Sequence, residues 1–311
     1  MIIFRNTLIT VIVLFLVQIG INSLLDNTSD KSIILEANGT LDNKSSQAAN
    51  NISEILPYNN EKKLAIITFD DGKKGQITNA KPILDGYNYT ATFTVICNNV
   101  SKSGHLNWND IVQLEKEGYD IGSHSMNHIK LEGVPHKISE YEISESKKCL
   151  LDNGVKEVRI FTYPKNGGSD DPFILKEVSK HYDLARTGND PLEFLQCQLG
   201  GSDTMMNKIT CSSLGNDVNK NGKYSIVGWS HDADREAKGY DDNQMLQKFI
   251  QVVESQNKYN KGNEIKSIPV LIYHDIDRES GFYTTSIELF KAEMKYLHDN
   301  DFIVIRLLDL I

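Results

Sequence analysis

Two short stretches of this 311-residue chain hold side chains that could do chemistry together. Thr68-Phe69-Asp70-Asp71-Gly72 ends in adjacent carboxylates and a glycine, and Ser123-His124-Ser125-Met126-Asn127-His128 sets two histidines four residues apart. That spacing lets two imidazoles converge on one ion, either from one helical face or from a tight loop. Neighbouring residues leaving a strand point in opposite directions, so adjacent aspartates can do two different jobs in one pocket. One carboxylate and two histidines make a facial set of metal ligands with positions left open for water and substrate. The other carboxylate is then placed to take a proton from activated water. Alone, Asp-Asp-Gly is usually a turn and His-x-x-x-His a surface or structural pair. Together, each at the end of an expected strand, they point to a hydrolytic metal centre.

The elements that must position these groups follow a regular rhythm. The apolar run Leu64–Ile67 reads as a buried strand leading into Asp70. Helix is expected over Gln76–Tyr87, strand over Ala91–Ile96, helix over Asn109–Glu117 closed by Gly118, and a short strand over Tyr119–Gly122 that delivers His124. Further helices are expected at Ser139–Leu151, Pro172–Lys180, Gln244–Lys258 and Thr285–Asn300. Strands are expected at Val158–Thr162, Asp183–Ala185, Ser225–Trp229, Ser267–Asp275 and Phe302–Leu307. Such alternation implies parallel strands with crossover helices and functional groups at the strands' C-terminal ends. Residues 191–227, with Gly200-Gly201, read as a hairpin or insertion.

The length suits one large domain with extensions, and the apolar content of 40% is that of a globular protein. A net charge of −9 makes nucleic acid a poor partner. Thr7–Ile21 is nearly all apolar and follows Arg5, so residues 1–22 read as a signal peptide or N-terminal membrane anchor. Residues 23–62, rich in Asn, Ser, Asp and Lys, read as a flexible polar stalk before a domain over 63–311. Asn27, Asn38, Asn43, Asn51, Asn88 and Asn99 open Asn-x-Ser/Thr triplets. With the apolar leader they favour an extracytoplasmic chain, secreted or anchored to the outer face of the membrane. An exported chain permits disulfides: Cys197 and Cys211 lie a hairpin's reach apart, Cys97 and Cys149 are a second candidate pair, and buried free thiols are the alternative.

TFDDG followed by SHSMNH resembles the first two motifs of the polysaccharide deacetylases, the NodB-like carbohydrate esterase family 4, and the resemblance runs from about Lys63 to the C-terminus. It implies an α/β fold, a distorted (β/α) barrel of about seven or eight strands. It also implies Asp70 as catalytic base and Asp71, His124 and His128 as ligands of a divalent metal, most often Zn2+, with Co2+, Ni2+ or Mn2+ as alternatives. Phe161-Thr162-Tyr163-Pro164-Lys165-Asn166-Gly167 matches the core of the third motif, whose turn at Tyr163, Pro164 and Lys165 supplies a main-chain N–H for the oxyanion. Two departures stand out there. Thr162 replaces the arginine that contacts the catalytic aspartate in many members, with Arg159 too far upstream to serve, and Lys165 replaces an aromatic. Trp229-Ser230-His231-Asp232-Ala233-Asp234 loosely resembles the fourth motif, with Asp232 the preferred group for tuning the catalytic histidine and a solvated acidic loop the competing reading. Leu271-Ile272-Tyr273-His274-Asp275 resembles the fifth, which makes His274 the general acid. The blocks around His274 and Phe302–Ile311 are also similar to a segment that precedes the catalytic motifs in circularly permuted relatives.

The expected activity is metal-dependent removal of N-acetyl groups from an N-acetylglucosamine-containing glycan by a monomer that touches membrane only through its N-terminal segment. Two other readings stand beside it: an amidase acting on a non-sugar amide or imide, and a surface glycan-binding protein that has lost catalysis.

Overall fold

The structure is a computed structural model that describes residues 62–188, 190–200, 208–211 and 222–311, with the side chains of 196–200 and 208–211 left out. All of these belong to the compact unit Asn59–Ile311. The expected leader, nearly all of the expected stalk and the first four Asn-x-Ser/Thr triplets lie outside the described residues. Among the described residues no helix is long and apolar enough to cross a membrane.

Strand β1 (Lys63–Phe69) is the centre of the sheet, and its last six residues are buried. It is followed by a π-helical turn, Gln76–Ala80, that runs directly into α1 (Lys81–Gly86). Next come β2 (Thr92–Val95), α2 (Trp108–Lys116), β3 (Asp120–Ser123), α3 (His136–Asp152), β4 (Ile160–Thr162), α4 (Pro172–His181) and β5 (Leu184–Arg186). Asn107 and Asp110 close a reciprocal capping box at the start of α2, and Asp171 caps α4. Strands β6 (Leu192–Gly200) and β7 (Lys208–Cys211) form the expected hairpin. Then follow β8 (Trp229–Ser230), α5 (His231–Lys238), α6 (Asp242–Glu254), β9 (Glu264–Tyr273), β10 (Asp275–Asp277), β11 (Thr284–Ser286), α7 (Ile287–Asp299) and β12 (Phe302–Ile305).

Seven parallel strands run in the order β5-β4-β3-β2-β1-β9-β8 and curl into a barrel. The two ends meet through the chain ahead of β8: Thr187 N–H donates to Ile226 O (2.7 Å) and Ile226 N–H to Ala185 O (3.0 Å). The distortion lies at β1. There β12 pairs with Lys63–Ile66, and β2 takes over the same side at Thr68 and Phe69. Strand β6 runs antiparallel beside the first part of β9.

Alternation along the strands sorts the core in two. Ala65, Ile67 and Phe69 face the helices in a large cluster with Phe93, Phe161, Tyr273 and Phe290. Leu64, Ile66, Ile160, Leu184, Ile268, Val270 and Ile305 fill the barrel interior. Continuing each inner row by period two toward the C-terminal ends brings Asp70 from β1, Thr162 from β4, Arg186 from β5 and His274 from β9 into the mouth. On β3 the corresponding position is Gly122, where an added Cβ would sit 3.0 Å from both Ile160 Cβ and Thr94 Cγ2, so crowding inside the barrel excludes a side chain.

Candidate active site

The turn after β1 holds both aspartates. Asp71 and Gly72 take φ of 71° and 65°, and this left-handed corner turns Asp71 away from Asp70. After β3 the histidines come from a tight loop, not from a helical face. Ser125 and His128 have φ of 66° and 58°, and the Ser125 hydroxyl accepts from His128 N–H (3.0 Å). Asn127 fastens this loop to α3, its main-chain and amide N–H groups donating to Glu142 (2.8 and 2.6 Å).

Asp71 Oδ1 lies 3.6 Å from both His124 Nε2 and His128 Nε2, and one ligand atom from each residue falls within 4.8 Å of the others. That Oδ1 is buried and has no hydrogen-bond partner, which an anion tolerates only where a cation takes its place. His124 Nδ1 is 2.9 Å from Thr162 O; donation there assigns the tautomer and leaves the Nε2 lone pair facing the cluster. Burial, and then the neighbouring His124, push the His128 imidazole down to about 4, so it is neutral and able to ligate at physiological pH. The three residues fit a divalent cation in both donor type and placement.

Asp70, 4% exposed, lines the same cleft but has partners of its own. Its Oδ1 accepts from Thr94 Oγ1 (2.8 Å) and from the Arg186 guanidinium, whose Nη2 also lies 3.4 Å from Thr162 Oγ1. Burial alone would raise the Asp70 carboxyl, but Arg186, and behind it His124 and His274, hold it well below the usual carboxylate range. The arginine missing from the third motif is thus replaced in space by one from the adjacent strand, which reaches the aspartate over the small side chain of Thr162. Arg159, by contrast, pairs with Asp183. Residue spacing held a signal for Arg186: a cation two positions after buried Leu184 sits on the same inner face.

Gln76 is a second residue that the sequence reading passed over. Fully buried in the π-helical turn, it donates through Nε2 to Asp70 O (2.5 Å) and His274 O (2.7 Å), strapping the ends of β1 and β9 together.

His274 stands on the opposite wall, with Asp232 and His231 buried behind it. The stretch expected to end a strand in an acidic loop is instead the first turn of α5, and Asp232 is completely buried. Pairing of His231 with buried Glu293 and of Asp232 with Thr285 and His274 holds this turn inside, so the solvated-loop reading is overturned. Asp232 Oδ2 accepts from His274 N–H (3.0 Å) and lies 3.3 Å from His274 Nδ1; Oδ1 accepts from Thr285 Oγ1. Behind it, His231 lies 2.7 Å from Glu293 Oε1, and Tyr273 Oη donates to Glu293 Oε2 (2.8 Å). Burial would lower His274, but the hydrogen bond it makes to Asp232 and the charge of Asp70 raise it above the ordinary imidazole value. Burial would likewise raise Asp232, yet His231 and His274 keep it ionised.

The third-motif turn contributes less than expected. Tyr163 N–H donates to Arg186 O (3.0 Å) and its hydroxyl to Tyr224 O (2.9 Å), while Pro164 has no N–H. Neither can donate to a substrate oxygen, because β4–β5 pairing and core packing have claimed the tyrosine. Lys165, with φ of 53°, keeps the one main-chain N–H of Tyr163–Gly167 with no partner among the described residues. Asp70, Asp71, His124, His128, Tyr163, Lys165, Arg186 and His274 line a cleft of about 920 Å3, with Trp229 and Ile272 as apolar walls. Cys97 and Cys149 form a disulfide, with Cα atoms 6.5 Å apart. Strand pairing sets Cys197 opposite Cys211, whose side chains lie outside the described residues.

Comparison with known proteins agrees with this architecture. The polysaccharide deacetylase family profile matches residues 58–183. The peptidoglycan-N-acetylglucosamine deacetylase of Bacillus cereus is 30% identical over 162 residues, 51% of this chain and 72% of that protein. YxkH of Bacillus subtilis, assigned by name to the polysaccharide deacetylases, is 32% identical over 102 residues, 33% of this chain and 37% of its own length. Among solved structures, a T48 deacetylase with substrate superposes with a TM-score of 0.50 at 15% identity, over 80% of this chain and 90% of that one. The Xyl-CE4 domain of a multidomain xylanase from the hindgut metagenome of Trinervitermes trinervoides gives 0.50 at 14% identity, over 80% and 89%. These two share the fold. The chain belongs to the NodB-like polysaccharide deacetylases of carbohydrate esterase family 4.

Proposed function

We propose that this protein is a metal-dependent hydrolase that removes N-acetyl groups from N-acetylglucosamine units of a glycan such as peptidoglycan, chitin or an exopolysaccharide. The observation that carries the reading is one cleft that joins a buried Asp71 oxygen lacking a partner, two histidines facing it, a separate ionised Asp70, and His274 on the opposite wall. Asp71, His124 and His128 would hold a divalent cation, with Zn2+ favoured by the nitrogen-rich donor set; when bound, it supplies a Lewis acid that lowers the pKa of water toward roughly 7.

Asp70 accepts the proton of the attacking water. Its ionisation across the physiological range keeps it in the accepting form, and Arg186 and Thr94 aim its carboxylate. Lys165 N–H donates to the oxygen of the tetrahedral intermediate. His274, oriented by Asp232, which favours its imidazolium form, delivers its proton to the departing amine nitrogen. Acetate and a free amino sugar result. Trp229 and Ile272 offer the acetyl methyl an apolar wall, and Trp229 is steadied by its indole N–H to Asp234 (3.2 Å). Arg186 occupying the vacated arginine position favours catalysis over a glycan-binding relict. The apolar segment Thr7–Ile21 and the Cys97–Cys149 disulfide support an extracytoplasmic location.

Acetate release from chitooligosaccharides and peptidoglycan fragments by the zinc-loaded protein tests the reading. No release from any of them would overturn it, and release from cyclic imides alone would make it an amidase.

A further inference from the structure

Phe282 and Tyr283 stand at the rim of the same cleft, on the side of His274. Phe282 is 79% exposed, the most open of the large apolar side chains among the described residues. The two residues are the tip of a tight turn closed on both sides, with Gly281 N–H donating to Thr284 O (3.0 Å) and Thr284 N–H to Gly281 O (3.1 Å). Tyr283 has φ of 50° at the third position of that turn, where glycine or asparagine is the unstrained choice.

The turn is built to be rigid. Arg235 of α5 donates to both Gly281 O and Thr284 O. Asp242, at the start of α6, accepts from Ser280 and Ser286, and the Ser280 hydroxyl in turn accepts from Ser286 N–H (3.0 Å). The Tyr283 ring meets His274 edge-on at 4.7 Å between centroids, and Phe282 meets Tyr283 in the same way at 4.7 Å. An exposed aromatic on a strained but firmly braced turn costs solvation and backbone energy for no gain in packing. A preorganised apolar surface beside a binding cleft is the use that fits. Across the mouth, the third-motif turn presents Lys165 and the buried Tyr163, so that wall offers no exposed aromatic.

We infer that Phe282, backed by Tyr283, is a stacking platform for a pyranose ring of the substrate chain adjacent to the sugar whose acetamide lies at Asp70 and His274. Two ring contacts separate Phe282 from His274, which places it past the reacting sugar and against its neighbour. The C–H face of a pyranose is the complement of an exposed phenyl face. This inference rests on the deacetylase reading for its substrate class and assigns that substrate a minimum length of two sugars.

The test uses the whole zinc-loaded protein, Phe282→Ala and Phe282→Trp, with a series from N-acetylglucosamine dimer to pentamer. In the wild type KM should fall with chain length. Phe282→Ala should flatten that dependence and raise KM for the pentamer by roughly fivefold to tenfold, as the loss of one aromatic contact predicts, and Phe282→Trp should restore it. Equal KM series for wild type and Phe282→Ala would overturn the platform while leaving the deacetylase reading intact. Should no oligomer release acetate, pentamer binding by calorimetry still decides: weaker binding by Phe282→Ala supports the platform, whereas equal binding, or none by the wild type, overturns it.

Discussion

Asp70 and Asp71 are adjacent in the chain, yet the structure gives them different partners. One faces a guanidinium and a hydroxyl, the other two imidazoles. Asp70→Asn should therefore bind zinc with wild-type stoichiometry by calorimetry and lose turnover by about 10²-fold or more. Loss of metal together with turnover would mean that the two roles are exchanged. His274 makes a pH prediction with a definite sign. Its imidazolium is favoured by Asp232, so activity should persist above the ordinary imidazole range and fall only as that proton is lost. Asp232→Asn removes the stabilising anion and should move the alkaline limb of kcat/KM to lower pH. An unmoved limb would take His274 out of the acid role.

At the scale of elements, the ends of β1, β3 and β9 that line the cleft are held by cross-links set back from it. The Cys97–Cys149 disulfide joins the end of β2 to α3, and Cys97 and Asn98 N–H groups donate to Ser125 and Met126 carbonyls in the histidine loop (3.1 and 3.0 Å). Its 52-residue separation predicts a stabilisation of about 4 kcal/mol by loop entropy, so reduction should lower the melting temperature and weaken zinc binding together. The π-helical turn is clamped in a similar way. A Cβ on Gly75 would come 2.2 Å from Ile276 O and 2.3 Å from Asp275 Oδ1. Gly75→Ala should cost about 1–3 kcal/mol and lower kcat more than it raises KM, because Gln76 is displaced from the two carbonyls it straps.

For the whole molecule, Asp71 and the His124–His128 pair come from segments more than fifty residues apart, so a cation held between them should stabilise the entire barrel. Zinc at a hundred times its dissociation constant should add about 2.7 kcal/mol and raise the melting temperature by several degrees, reversed by chelator. Unchanged melting with and without zinc would count against a cation at Asp71, His124 and His128.

Most of the order of strands and helices, though not α5, β10 or β11, together with the buried β1 and β9 and the residues at their ends, was readable from the amino-acid sequence, because these depend on period-two and period-3.6 burial and on local turn chemistry. The Asp-Asp-Gly and His-x-x-x-His pair was legible for the same local reason. Tertiary structure alone decided which arginine meets Asp70, since Arg186 reaches it from β5, the strand next to the one that carries the third motif. It also decided that Asp232 is buried, that Tyr163 N–H belongs to the sheet, and that Gln76 spans two strand ends. These are contacts between residues distant in the chain, made when the sheet curls and closes, and local propensity has no information about which side chains that closure brings together.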